Sequence, residues 1–493
     1  MHAMNWIVVY PELVLLVMSC GIALVDLWVR DPRRRPTLWL TQGTLACVSL
    51  LHLMYFEAGM NQIGMQSMVV ADPMGHLLAA FAGIATMVTI AYAQPYLASR
   101  ELLKGEFFTL TLFVYLGISV MVSANNFLVI YLGLELMSLS LYALTAMRRD
   151  HLPATEAAMK YFVLGALASG FLLYGLSMMY GATGSLELAE VFKAIGTGAI
   201  NRQVLGFGLV FVVAGLAFKL AAVPFHMWVP DVYHGAPTAM TLLIGAAPKL
   251  AGFAIVIRLL VEGMLGLAVD WQRMFIVMAV ASLVVGNVVG IAQSNLKRML
   301  AYSTIGQMGF VLLALSAGVI NGSTVLAGNA YSSAMFYMVI YVLTTLGTFG
   351  MIMYLASAGY ESEEIADFAG LADRHPWAAG AMAVFLFSLA GVPPLVGFYA
   401  KLSVLQALIA TGQPLYIWLA VIAVLLSLVG AYYYLRVVKV MYFDPPTTPA
   451  PVVRGAGVGV LLALNGVLVF GLGLLPGGLM DLCRDAIVQA LAG

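Results

Sequence analysis

Long apolar runs alternate with short polar or Gly/Pro-rich breaks along almost the whole of this 493-residue chain. A run of about twenty apolar residues is long enough to cross a bilayer as a helix. The pattern predicts fourteen such helices, near 5–29, 37–56, 73–96, 106–123, 126–147, 155–180, 204–230, 236–260, 271–293, 299–319, 327–356, 377–411, 414–443 and 453–480. The first run follows a start without a basic stretch, so it reads as a retained span and not a cleaved signal. Prolines interrupt the seventh, eighth and twelfth runs. Pro224 cannot donate to the carbonyl of Leu220, nor Pro248 to that of Ile244, so those helices are expected to break inside the bilayer. The freed backbone oxygens then need protein or water around them. The fold class expected is an all-α polytopic membrane protein with broken helices 7, 8 and 12.

The pattern also repeats. Leu220-Ala221-Ala222-Val223-Pro224 recurs as Leu389-Ala390-Gly391-Val392-Pro393, an offset of 169 residues. The same offset carries Asn126-Phe127-Leu128 onto Asn295-Leu296-Lys297. Two five-helix units are implied, helices 4–8 and 9–13. Five is odd, so the second unit enters the membrane from the other side, as in transporters whose broken helices meet near the midplane. The chain then divides into a three-helix segment (1–105), a first repeat (106–262), a second inverted repeat (271–443) and a final helix segment (444–493). The halves differ chemically. At this offset Glu135 falls on Thr304, Lys219 on Ser388 and Lys160 on Asn329, which favours one shared charge path over two separate channels.

Composition agrees: 62% of residues are hydrophobic and 9% charged. The net charge of zero gives no case for nucleic acid as a partner. Cys20, Cys47 and Cys483 are isolated, which argues against a disulfide framework, a zinc site or an iron–sulfur cluster. Alternating the loops places fourteen basic residues on one side, from Arg30 and the Arg33-Arg34-Arg35 run to Arg454, and five on the other, Lys193, Arg202, Arg258 near a helix end, Arg273 and Arg484. The positive-inside rule then puts both termini on the outer face. The longest hydrophilic segments, about 181–203 and 357–376, are too short to fold alone. The cluster Glu361, Glu363, Glu364 and Asp367 reads as a solvated loop or a docking edge.

Against this background the charged residues inside the runs stand out. An intramembrane lysine is disfavoured by ~2.5–3.5 kcal/mol on insertion scales, so its presence suggests a task. Lys219 and Lys249 lie mid-run beside the breaks, and Lys401 lies just beyond Pro393-Pro394. Glu135 sits about ten residues into the fifth run, far from either surface, and reads as a partner for Lys219. His226 falls seven residues after Lys219, on the same helix face, and can pass protons near neutral pH. Lys160 is near enough to a helix end to snorkel, and Lys297 beside Arg298 resembles an interfacial anchor. Asp231 and His234 read as loop residues at a helix start. Buried amines and freed carbonyls together suggest a hydrated track for protons or small cations. A purely packing role for the charges is the competing reading. There is no GxGxxG after a strand, no P-loop and no haem-spaced histidine pair, so any electrons would travel in other chains.

The stretches KLAAVPFHMWVPDVYHGAPT, PELVLLVMSCGIALVDLW, YGATGSLELAE and Ala390-Gly391-Val392-Pro393-Pro394 resemble subunit N of bacterial proton-translocating NADH:quinone oxidoreductase, respiratory complex I. The VPFHMW core is shared with sister subunits and with Mrp-type cation/proton antiporters. A subunit of an Mrp-type Na+/H+ antiporter is therefore the alternative. The resemblance implies a proton-translocating subunit in a bacterial inner membrane, packed in lipid against other membrane-arm subunits, including its antiporter-like sisters. NADH, FMN, iron–sulfur clusters and quinone would be held by partners, with no cofactor or metal in this chain. It also implies a relay of Glu135, Lys219, His226, Lys249 and Lys401, joined by Lys160 and Lys297.

Overall fold

The computed structural model describes residues 4–198, 200–356, 360–446 and 456–492. Arg454, counted above with the basic loops, and the expected start of the last helix at 453 lie outside the described residues. Among the described residues thirteen helices are long and apolar enough to cross a membrane: Trp6–Asp26, Arg35–Glu57, Pro73–Ala98, Gly105–Val122, Phe127–Thr145, Leu152–Thr183, Arg202–Leu220, Thr238–Gly263, Leu265–Ile291, Leu296–Ser316, Ala327–Leu355, Pro414–Phe443 and Gly457–Leu474. Pro376–Ala390 and Val396–Ala410, each too short alone, together form the remaining crossing. These fourteen crossings are the first to fourteenth spans below, the paired helices being the twelfth. The face on which the first span begins is called the N-face.

Among the described residues several elements depart from the expectation. A small antiparallel hairpin pairs Gln62–Gly64 with Val69–Ala71. A short helix, Leu188–Gly196, lies in the loop before the seventh span. The last helix was expected to run to 480, but it ends at Leu474, and a separate helix, Gly477–Ala492, follows Pro476. Proline suits the first turn of a new helix and not the interior of an old one.

The seventh and twelfth spans break by the same device. Leu220 ends one helix and Ala221 turns left-handed at φ +67, with the amide of Ala222 bonding back to the Ala217 carbonyl at 2.8 Å. Ala390 ends the other and Gly391 turns at φ +86, with Val392 bonding back to Phe387 at 3.0 Å. This is the usual left-handed helix ending. The turns lie 170 residues apart, one more than the sequence offset, because the second break settles on glycine, which takes that conformation without strain. Lys219 therefore matches Leu389 in backbone position, and not Ser388 as the sequence offset suggested. The eighth span breaks at Ala246 (φ −106, ψ −102) and ends in a π-helical stretch, Ile257–Gly263.

The repeat is visible in packing. A Cβ on Gly117 would meet the Gly133 carbonyl and the Met137 amide, each at 2.6 Å. A Cβ on Gly286 would meet the Tyr302 carbonyl at 2.7 Å and the Gly306 amide at 2.5 Å. All three positions shift by 169. Small residues let helix backbones approach this closely. Asn126 and Asn295 each cap the span they precede and each pair with a later loop, at Glu187 and Glu364. The fifth span starts at the N-face and the tenth at the opposite face, so the matched devices are inverted. The centre is formed by the eighth, tenth and eleventh spans, which bury 100%, 94% and 89% of an apolar 18-residue stretch. The first, thirteenth and fourteenth, at 33%, 28% and 28%, lie outside.

Candidate functional site

In an unbroken helix the Val223 amide would bond the Lys219 carbonyl. Here it donates to Ser282 Oγ at 2.9 Å. The Lys219 carbonyl instead accepts the amine of Lys249 at 3.1 Å, and the Phe218 carbonyl accepts the Trp228 indole at 3.1 Å. Lys249, 1% exposed, lies on the eighth span just past its own break, with its amine 5.6 Å from the centre of the Trp228 ring. One broken helix is thus capped by the lysine of another.

The Lys219 side chain points the other way, donating to Ser138 Oγ at 2.8 Å. Ser138 donates its own proton to the Leu134 carbonyl at 2.7 Å. Ser138 stands three residues beyond Glu135 on the fifth span, and Glu135 Oε1 is buried without a hydrogen-bond partner. Among the described residues no ion pair joins Glu135 to Lys219, so the lysine is held by the serine one turn on. Both lysines line a cavity of about 20 Å³ with Tyr161, Trp228 and Pro248. That is room for roughly one water. His226 does not line it. It lies in the turn after the break, half-buried, with Nδ1 unpartnered and Met227 beside it 66% exposed.

The second break is capped alike. Lys401 donates to the carbonyls of Leu389 at 3.0 Å and Ala390 at 2.9 Å, and to Ser427 Oγ at 2.8 Å. Its amine lies 5.4 Å from the Phe310 ring centre and lines an apolar cavity of about 320 Å³ with Val392, Val424 and Leu428. Neutral side chains fill the interior next to it. Gln307 donates to the same Leu389 carbonyl at 3.2 Å and to Tyr434 at 3.1 Å, and it accepts from Tyr337. Thr304 and Tyr341 are 2.9 Å apart. Sequence reasoning passed over these residues because hydroxyls and amides are common in apolar helices. The one available signal was that Thr304 takes the place of Glu135 in the repeat.

Lys160 and Lys297 sit nearer the face opposite the N-face. Lys160 bonds Asp231 at 2.7 Å and Glu156 at 2.8 Å, and Arg298 bonds the other Asp231 oxygen at 2.7 Å. Asp231, expected to be a loop residue, lies on a short helix beyond the break, Trp228–Gly235, and ties it to the sixth and tenth spans. Lys297 is no interfacial anchor: it is 1% exposed and donates to the Ala236 carbonyl at 2.7 Å and to Glu363 at 2.8 Å. The acidic segment is equally engaged. Glu361 meets Arg100 at 3.0 Å, Arg148 at 3.4 Å and Tyr96 at 2.9 Å. Burial alone would raise its pKa, but the bond and charge of Arg100 hold it below the usual carboxylate value. These groups, with His151 and His234, line a polar cavity of about 470 Å³ on this face. Burial, then the charge of Arg148, pushes His151 below the usual histidine value.

Sequence reading also missed a buried ion cluster. Arg258, 1% exposed, bonds both oxygens of Asp72 at 2.7 and 2.8 Å, Glu262 at 2.7 Å and the Val122 carbonyl. The sequence pattern only counts it among the few basic residues on the N-face side. Among the described residues no group of three His, Cys, Asp or Glu side chains could hold a metal ion.

Residues 124–427 match the family model described as NADH:quinone oxidoreductase/Mrp antiporter, transmembrane. A curated relative from Polaromonas naphthalenivorans, named NADH-quinone oxidoreductase subunit N, is 61% identical over 98% of this chain and 97% of its own. Among solved structures, a chain of respiratory complex I from Thermus thermophilus is 30% identical, with TM-score 0.80 over 96% of this chain and 99% of that one. A chain of the Mrp complex from Dietzia, 20% identical with TM-score 0.84 over 99% of this chain and 100% of that one, shares the fold. With the broken, lysine-capped helices, these likenesses place the protein: it belongs to the NADH-quinone oxidoreductase subunit N family of antiporter-like, multi-pass membrane subunits.

Proposed function

We propose that this subunit moves protons through Lys219, Lys249 and Lys401, coupled to electron transfer from NADH to quinone in partner subunits of the oxidoreductase. The N-face is taken as the outer face of a bacterial inner membrane, the orientation that the excess of basic residues in the opposite loops favours. Protons are taken up through the polar cavity bounded by Arg148, His151, Glu361 and Glu363 on the inner face. Lys160 and Lys297 bias that cavity electrostatically, each already paired with a carboxylate.

The observation that carries the reading is the shared capping of both breaks by lysine amines. Each amine satisfies orphan carbonyls whether it is charged or neutral, so losing its proton does not strand the backbone. Lys249 is held by a carbonyl and an aromatic face, and among the described residues no carboxylate pairs with it. Glu135 acts on Lys219 from one turn beyond Ser138. A shift of the fifth span that exchanges serine for glutamate as the amine's partner favours the charged lysine, and the reverse shift releases its proton. Thr304, Tyr341, Gln307 and Tyr337 offer hydroxyl and amide stations toward Lys401. Lys249 sits directly on the Lys219 carbonyl, so His226 is not needed between them and serves exchange with the open side of the break.

The test is the number of protons moved per electron pair by the assembled complex in sealed vesicles. Glu135→Gln, Lys219→Ala and Lys249→Met combined should lower it while assembly persists. An unchanged ratio in the triple variant overturns the reading. So does sodium-dependent exchange by a purified assembly that contains this chain and lacks flavin and iron–sulfur subunits.

A further inference from the structure

A second chain of titratable groups lies apart from the lysines, in the N-face halves of the first four spans. Glu12 is in the first turn of the first span, His52 near the end of the second, His76 at the start of the third and Ser119 near the end of the fourth. All are buried: Glu12 is 8% exposed, His52 2%, His76 4% and Ser119 0%. Ser119 Oγ donates to Glu12 Oε1 at 2.8 Å and lies 3.2 Å from His52 Nε2, while His52 Nδ1 lies 3.1 Å from His76 Nδ1.

These contacts allow one direction of donation when the glutamate is charged and both rings are neutral. Ser119 gives its proton to Glu12, so it must accept from His52 Nε2–H. His52 Nδ1 is then a lone pair and must accept from His76 Nδ1–H. His76 Nε2 is left as a bare lone pair, and that atom is buried without a partner. Glu12 Oε2, at the other end, is also buried without a partner. Beyond His76 stand Asp72 and Arg258, whose charges are locked to each other and to Glu262, so Asp72 does not compete for the imidazole. The Tyr55 ring packs edge-on to His76 at 5.3 Å. Two histidines and a carboxylate are costly to bury for packing alone.

We infer that Glu12, Ser119, His52 and His76 form a second proton-conducting chain, an outward branch at the N-face, which rests on the proton-moving reading above. A hydronium gives its proton to His76 Nε2. The Nδ1 proton of His76 passes to His52 Nδ1, the Nε2 proton of His52 to Ser119, and the Ser119 proton to Glu12. Four N–H or O–H bonds form and four break, with no change of oxidation state. Glu12 then releases a proton at the N-face, and the tautomers must be restored before another follows.

The experiment uses the assembled complex in sealed vesicles and measures protons moved per electron pair. Glu12→Gln keeps the acceptor oxygen but cannot take the proton, and His52→Gln keeps polar ends but cannot relay. Both should lower the ratio by the same fraction as Lys219→Ala measured in parallel. Ser119→Ala, the smallest change, serves where either fails to assemble, and it should do the same. Added imidazole should restore the ratio in His52→Gly, a rescue that a packing role would not give. Parent ratios in Glu12→Gln, His52→Gln or Ser119→Ala, beside a lowered ratio in Lys219→Ala, overturn the branch and leave the lysine path standing. A parent ratio in Lys219→Ala as well overturns both.

Discussion

At the scale of single residues, the claim with the sharpest consequence is that the buried amines must shed protons. Arginine can still donate to Ser138, as Lys219 does, but holds its proton far more tightly. Lys219→Arg should therefore impair pumping almost as much as Lys219→Ala, each lowering the subunit's proton transfer by about a hundredfold or more, as loss of a proton-transfer group does. Proton-to-electron ratios in vesicles check this, and parity of Lys219→Arg with the parent would count against it. A second expectation concerns the left-handed turns. Ala221 occupies at φ +67 a conformation that Gly391 takes freely, and a Cβ on Gly391 would press Lys401 Cδ at 2.8 Å. Left-handed backbone costs a non-glycine residue about 1–2 kcal/mol. Gly391→Ala should thus destabilise by about that much and displace Lys401, whereas Ala221→Gly should stabilise the break. Thermal melts of the purified complex, with pumping assayed beside them, distinguish the two.

At the scale of elements, the loop between the eleventh and twelfth spans was expected to be solvated or to form a docking edge. It is a latch. Glu361 ties it to Arg100 and Arg148 just past the third and fifth spans, Glu363 to Lys297, and Glu364 to Asn295 at the start of the tenth. Charge-assisted hydrogen bonds contribute about 1.5–3 kcal/mol each, so Glu361→Gln should open the loop and speed amide exchange in 361–375. The folded pKa of Glu361 lies below its unfolded value of 4.5. The stability it supplies is therefore fully present above that pH and is lost as pH falls through the lower, folded value. Amide protection of the loop should be flat above pH 4.5 and fall below it, and the fall should vanish in Glu361→Gln. The acidic pattern was plain in the sequence. The basic partners were not, because Arg100 and Glu361 lie 261 residues apart.

At the scale of the whole molecule, the Asp72–Arg258 cluster joins the three-helix N-terminal segment to the eighth span at the centre of the bundle. Removing one partner leaves the other charge buried, at a cost of about 3–5 kcal/mol. Asp72→Asn and Arg258→Met should each lower the melting temperature of the complex or its assembly on native gels, and the double variant should recover part of the loss. No recovery in the double variant would mean that the cluster acts through more than the paired charges.

The fourteen crossings, the three breaks and the two inverted units were legible in the chain, as were the positions of Lys219, Lys249 and Lys401 inside apolar runs. Hydrophobic run length, proline chemistry and the cost of an intramembrane charge are local properties, readable one segment at a time. Partnership was not local. That Lys249 caps the seventh span, that Ser138 and not Glu135 receives Lys219, that Lys297 is buried, and that Glu12, His52 and His76 meet were all decided by packing of distant helices. A hydrogen bond reaches about 3 Å, and only the tertiary fold brings groups a hundred residues apart to that distance.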